Sequence, residues 1–196
     1  DGFLGTADDS GPGGLSNNVV VVTGSGSIWS NRGFLYVGYY SGIIGGAFNE
    51  TTGNQLTIAD SGIVLAPQVR VGFDGLFGDS DNTIVVSGGS LIVTNALGNG
   101  RLVVGIAGGK GRLILNSGTV TVDALIATNG ANSVITLNGG TLNSGGTFVT
   151  NTQQFVVGDG AAVGAFHLLG GVHSFNNGLR IRNASFLTGC GTINGT

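Results

Sequence analysis

Apolar and polar residues alternate along this chain in short runs, and each run is broken by a turn rich in Gly, Asn and Ser. Seven blocks share one shape, an alternating strand, a Gly-containing tight turn and a second strand. They read VVVVTGSGSIW, LTIADSGIVL, TIVVSGGSLIV, LILNSGTVTV, VITLNGGTLN, FHLLGGVHSF and FLTGCGTING. The last turn glycines, Gly26, Gly62, Gly89, Gly118, Gly140, Gly171 and Gly191, stand at intervals of 36, 27, 29, 22, 31 and 20 residues. The repeat is thus about 27 residues long and tolerates insertions. A second block lies between most anchors: FLYVG ending at Gly38, QVRVG at Gly72, RLVVG at Gly105 and QFVVG at Gly158, with ALIAT and LRIRN in the equivalent places. Two or three short strands per unit predict one coil of a β-solenoid.

Strand alternation assigns an inside and an outside. Before the anchors, Ile84/Val86, Leu113/Leu115, Ile135/Leu137 and Phe166/Leu168 are predicted inward. After them come Ile28, Val64, Leu91, Val120, Leu142 and Ile193. In the second block the inward pairs are Leu35/Val37, Val69/Val71, Leu102/Val104, Leu125/Ala127 and Phe155/Val157. Apolar residues at fixed offsets would stack into continuous ladders. The expectation is an all-β parallel β-helix of about seven irregular coils, a rod roughly 34 Å long at about 4.8 Å per coil. Residues 18–196 form this domain, and 1–17, polar and containing Pro12, form a cap or linker. A β-propeller needs blades of about 40 residues or more, and a two-sheet sandwich leaves the repeat unexplained.

Composition narrows the picture. Glycine supplies 40 of 196 residues, which suits sharp corners that favour positive φ and leave little room for side chains. Collagen lacks support, because neither strict Gly periodicity nor abundant Pro is present. At 41% hydrophobic the chain has the means to fold, and its glycines oppose a helical domain. The seven Lys/Arg are spread out rather than grouped, which disfavours nucleic acid, and no apolar run is long enough for a membrane span. Cys190 stands alone, so no disulfide framework or cysteine metal site forms within one chain.

VTGSGSIWS (residues 22–30), LYVG (35–38) and LTIADSG (56–62) resemble the Gly-rich repeat of autotransporter (type V secretion) passengers and PEP-CTERM-associated bacterial surface proteins. The recurring text there is similar to V-x-G-x-G-S-x-W, then L-x-V-G, then L-x-I-x-x-G-G. Later units keep the strand–Gly–strand core but carry Ile92, Thr121, Asn143 and Ser174 in place of the Trp. The resemblance implies a right-handed parallel β-helix, export to the cell surface and a passenger or matrix role. It carries no catalytic residues.

Candidate chemistry is sparse. A carbohydrate-cleaving β-helix needs acids converging on adjacent coils, with two carboxyls about 5 Å apart for retention. Asp60 instead occupies a turn where later units have Ser87, Asn116 and Asn138, which predicts turn capping. Asp74, Asp79 and Asp81 in FDGLFGDSDN are the candidates for Ca²⁺ ligation, without an EF-hand or β-roll spacing; a solvated acidic turn is the simpler expectation. His173 falls at an inward position unless a one-residue shift places Val172 there, and His167 is expected outward; both read as structural imidazoles. Thr119, Thr121 and Thr141 hint at an ice-binding face, but Ser90/Ile92 and Val172/Ser174 interrupt it. No serine-nucleophile, Walker or dinucleotide motif occurs, and no cofactor is expected. The three Asn-x-Ser/Thr triplets, at Asn49, Asn183 and Asn194, are what an Asn-rich chain yields by chance.

Apolar residues at outward positions are more informative. Trp29, Leu65 and Ile92 beside the anchors, and Val103, Ile126 and Val156 in the second block, predict a packing surface. Its cover is either an intrachain insertion such as residues 38–53 or a partner. The chain opens at Asp1 and stops in mid-repeat, so a fragment continuing into further repeats, or a subunit stacking end to end, is expected. The function this suggests is a non-enzymatic structural β-solenoid, extracellular or on a bacterial cell surface, in adhesion or matrix scaffolding. Its partners would be neighbouring repeats, surface glycans or host and matrix components. A self-assembling filament subunit and a carbohydrate-active β-helix are the alternatives.

Overall fold

The computed structural model describes residues 1–7, 15–40, 51–74 and 81–195. Of the cap or linker expected over 1–17, residues 8–14 lie outside these residues, as do residues 41–50 of the covering insertion expected over 38–53, and Asp79. The alternating runs become β1 (Gly2–Ala7), β2 (Val19–Thr23), β3 (Ile28–Ser30), β4 (Phe34–Tyr40), β5 (Gln55–Ala59) and β6 (Ile63–Leu65). After these come β7 (Gln68–Asp74), β8 (Asp81–Val93), β9 (Arg101–Ala107), β10 (Lys110–Val122), β11 (Ala124–Ala127) and β12 (Ser133–Leu137). The last are β13 (Gly140–Ser144), β14 (Thr147–Val149), β15 (Phe155–Val157), β16 (Gly164–Phe175), β17 (Leu179–Ile181) and β18 (Phe186–Gly195). No α-helix occurs among the described residues.

These strands pair in parallel as three walls of a β-solenoid-like stack. The first wall runs β2, β5, the first half of β8, the first half of β10, β12, β15 and β17. The second runs β3, β6, the second halves of β8 and β10, β13, and the first halves of β16 and β18. The third runs β1, β4, β7, β9, β11, β14 and the second halves of β16 and β18. The long strands β8, β10, β16 and β18 turn a corner at which the register slips, between Leu115 and Thr119 in β10 and between Leu169 and Val172 in β16.

The core is what the alternation predicts over most of its length. Leu56, Ile84 and Leu113 stack on the first wall, Val64, Leu91 and Val120 on the second, and Leu35, Val69 and Leu102 on the third, all essentially inaccessible. Each such side chain contributes about 1.5–3 kcal/mol by leaving water. Ile135 is only half-buried but packs on this core. Polar residues at the turn stack too: Asn116 donates to Ser87 Oγ at 3.2 Å and Asn138 donates to Asn116 Oδ1 at 2.8 Å. Asp60 stands in the turn between β5 and β6 with φ of 46°, and its carboxylate accepts from Thr23 Oγ1 at 3.1 Å, a bond between two coils.

Two predicted phases are corrected. Between β2 and β3 four residues make the turn, whereas three connect β5 to β6. The extra residue rotates the next strand by one position. Trp29 therefore pairs with buried Val64 and packs against the core, while Ile28 faces water at 60% exposure. The second slip follows β13. Gly140 stacks on Gly164 rather than Gly171, because TFV forms the short third-wall strand β14. Phe155 and Val157 consequently begin a coil on the first wall instead of closing one on the third. His173 then faces inward, fully buried, and Val172 faces out. The Nε2–H of His173 donates to the Gly170 carbonyl oxygen at 2.8 Å, and Nδ1 lies within hydrogen-bond distance of the Thr147 hydroxyl at 3.0 Å.

Four glycines stack at one corner of the third wall: Gly5, Gly38, Gly72 and Gly105, with φ of 71°, 74°, 67° and 68°. A Cβ on Gly38 would strike Asn82 and one on Gly5 would strike Asn54, so the vacancy holds a row of buried asparagines. The left-handed kink also resets the alternation: the residue directly after each glycine can again face outward. That reset builds the outer surface of the third wall.

Candidate functional site

Outward side chains of β4, β7 and β9 form a grid. Phe34 stands beside Gln68 and Gln68 beside Arg101; Tyr36 stands beside Arg70 and Arg70 beside Val103. The third row, created by the glycine kink, is Tyr39, Phe73 and Ile106. Ile126 of β11 extends the middle row beyond Val103, and Phe3 of β1 precedes Tyr36.

Arg70 sits at the centre. Its guanidinium carbon lies 4.7 Å from the Phe34 ring centroid, 5.4 Å from Phe73 and 5.8 Å from Tyr36. Each contact of this kind is worth about 0.5–1 kcal/mol where exposed. The rings hold one another: Tyr39 stacks on Phe73 at 5.1 Å and 11°, and Phe3 stacks on Tyr36 at 5.0 Å and 4°. Burial pushes the Tyr36 phenol above its ordinary range; Arg70 opposes that shift and Tyr39 adds to it. Over the outer face of β7 and β9 the grid opens into a groove of about 550 Å³, with Phe34, Phe73, Val103, Ile106 and Ile126 as its apolar lining. Gln68, Arg70, Asn99 and Arg101 supply its polar groups. Gln68 Nε2 donates to the Asn99 backbone carbonyl oxygen at 3.1 Å, which ties the Gln68 carboxamide to the segment before β9.

The six residues expected to form one packing surface fall into separate places. Val103 and Ile126 adjoin on the third wall and line this groove. Leu65 and Ile92 pair on the second wall, Val156 faces Arg180 on the first, and Trp29 points into the core, which removes it from any outer surface. The row after the glycines was missed by sequence reasoning. Its signal is the large side chain that directly follows VG in three successive units: Tyr39, Phe73 and Ile106.

The described carboxylates are all engaged locally. Asp1 accepts from the Phe34 N–H at 2.8 Å. Asp123 accepts from the N–H groups of Asn95 and Gly100 at 3.1 and 2.7 Å. Asp159 accepts from those of Ala161 and Ala162 at 2.8 and 2.7 Å, and these bonds hold its carboxyl below the usual range. Asp81, one of the three calcium candidates, forms a two-pronged pair with Arg112 at 2.7 and 2.9 Å. That pairing lowers its pKa, against a smaller opposing effect of burial. The Asp74 side chain and Asp79 lie outside the described residues. No cluster of three or more metal-binding side chains occurs among the described residues. No helix among them is long and apolar enough to cross a membrane.

Fold and wall together define a β-solenoid-like protein of stacked parallel strands with one aromatic and arginine-lined outer face. Comparison of the chain with protein-family models, with curated proteins and with solved structures finds no match to any of them.

Proposed function

We propose that this chain is a non-enzymatic structural β-solenoid that works in adhesion or matrix scaffolding, outside the cell or on a bacterial surface. In this reading the stack is a right-handed parallel β-helix of about seven coils, as the resemblance to autotransporter passengers and PEP-CTERM-associated surface proteins implies. The observation that carries the proposal is the outer grid of the third wall, where Phe34, Arg70, Phe73 and Ile106 present large side chains from adjacent strands around the buried Tyr36. A flat wall of this kind offers contact area rather than a reaction centre. The described acids support the same reading against a carbohydrate-cleaving enzyme, because each is held by backbone N–H groups, a hydroxyl or Arg112.

Beads coated with the purified protein are expected to adhere to bacterial biofilm matrix. The variant F34S/F73S/I106S should release them under flow that the unaltered protein resists. Equal retention by the variant would overturn the wall as the adhesive surface.

A further inference from the structure

We infer that the third-wall groove over β7 and β9 binds a carboxylated saccharide, a uronate-containing chain, through Arg70 and Arg101. This rests on the adhesive reading of the wall and names the ligand it would take.

The two arginines come from successive coils. Arg101 stacks directly on Gln68, and Arg70 is two residues further along the same strand, facing the same way. The pair is therefore diagonal, about 7–8 Å apart at the backbone. Among the described residues neither guanidinium has a carboxylate partner, in contrast to Arg112, whose fork is filled by Asp81. Arg70 is already fixed against Phe34 and Phe73, so binding would cost it little further side-chain freedom. A guanidinium offers a carboxylate two parallel N–H donors, and a pair of them suits a ligand with repeated carboxylates.

Charge alone would equally describe an acidic peptide; the remaining groups favour a sugar. Gln68 places one amide N–H on the Asn99 backbone carbonyl, which leaves its second N–H as a donor and its Oε1 as an acceptor. Asn99 Oδ1 accepts from Asn95 at 2.7 Å, leaving its own amide group as a donor. An acidic peptide meets an acceptor only through its backbone N–H groups, whereas a uronate carries hydroxyls, each both donor and acceptor, on the same ring as its carboxylate. The apolar lining of Phe73, Val103 and Ile106 meets the C–H face of a pyranose ring.

Titration calorimetry of the full chain with short oligoglucuronate tests this. Its methyl ester, the same sugar without charge, and polyglutamate, the charge without sugar, serve as comparators. The acid form is expected to bind at least about tenfold more tightly than either, and R101A should lose about tenfold, one charge-assisted contact's worth. Arg101 is exposed, so this variant keeps its fold, and V156S on another wall should bind as the unaltered chain does. No binding of oligoglucuronate, equal binding of the ester, equal binding of polyglutamate, or an unaffected R101A would each overturn the inference. Beads that still adhere through Phe34, Phe73 and Ile106 while oligoglucuronate fails to bind would remove the saccharide and leave the adhesive wall. Saccharide binding without adhesion would remove the wall's adhesive role instead.

Discussion

Asn54 donates from Nδ2 to Asn82 Oδ1 at 2.9 Å while its own Oδ1 accepts from Asn18 Nδ2 at 2.8 Å, so three coils are joined by one row of carboxamides inside the corner. Asn54 and Asn82 are fully buried. The next place in the row is Gly111, which has no side chain to accept, and Asn82 Nδ2 has no partner among the described residues. N54A removes the central member and leaves both neighbours short of a bond in a dry site. The expected loss is about 2–3 kcal/mol in urea unfolding. N18A, at the half-buried end of the row, should lose less, about 1 kcal/mol.

Gly72 and Gly98 have almost the same φ, 67° and 66°, but different surroundings. A Cβ on Gly72 would run into the Lys110 carbonyl and the Gly111 nitrogen, backbone atoms of the next coil, whereas one on Gly98 meets nothing. G98A should carry only the left-handed strain, about 1–2 kcal/mol. G72A adds a backbone clash that local movement cannot relieve without parting two coils. It should be clearly the less stable in thermal unfolding, and equal midpoints would contradict the close approach.

Trp29 is the only tryptophan in the chain, which makes its placement directly measurable. Packed against the core, it should emit to the blue of free indole in the native protein and shift red on unfolding. I28S, at an exposed position, should change stability by less than about 0.5 kcal/mol. If I28S were costly and Trp29 fluoresced as a solvated indole, the turn between β2 and β3 would have the opposite phase.

The Asp81–Arg112 pair is partly exposed, 40% and 44%, so its contribution is modest, about 0.5 kcal/mol in a double-mutant cycle. Its pH dependence has a definite sign. Because the folded-state pKa lies below the ordinary 3.8, the stabilisation is present above that value and lost as pH falls through the lowered folded-state pKa. D81N should remove that part of the acid sensitivity and leave the rest.

Tyr36 predicts the alkaline limb. Its pKa is raised above 10.0, so the neutral phenol belongs to the folded wall. Its contribution is complete below 10.0 and declines as pH rises from there through the folded-state pKa. Y36F should flatten the fall of the thermal midpoint across that range, since a ring without a phenol cannot ionise.

The ladders were legible because their physics is local in sequence. A strand pitch of two sends Ile84 and Val86, or Leu102 and Val104, to one side whatever they pack against, and all four are fully buried. Turn chemistry was legible for the same reason at Asp60, Ser87, Asn116 and Asn138. Where one residue is added to a turn, as before Trp29, local pattern gives no phase. The strand regains its register only by hydrogen bonding to the next coil, 35 residues away at Val64. TFV at Thr147–Val149 was overlooked because three residues hold no visible alternation, and every later assignment moved by one wall.

By itself, the sequence determined a β-rich stack of parallel strands with apolar ladders and glycine corners, since alternation and turn propensity act between neighbours along the chain. Only the tertiary structure decided which side chains share a wall. The glycine kink that turns Tyr39, Phe73 and Ile106 outward, and the diagonal that puts Arg101 near Arg70, are set by pairing between coils. Residues 31 positions apart in Arg70 and Arg101 meet only because parallel strands lie about 4.8 Å from one another. That distance belongs to the stack and to no single repeat.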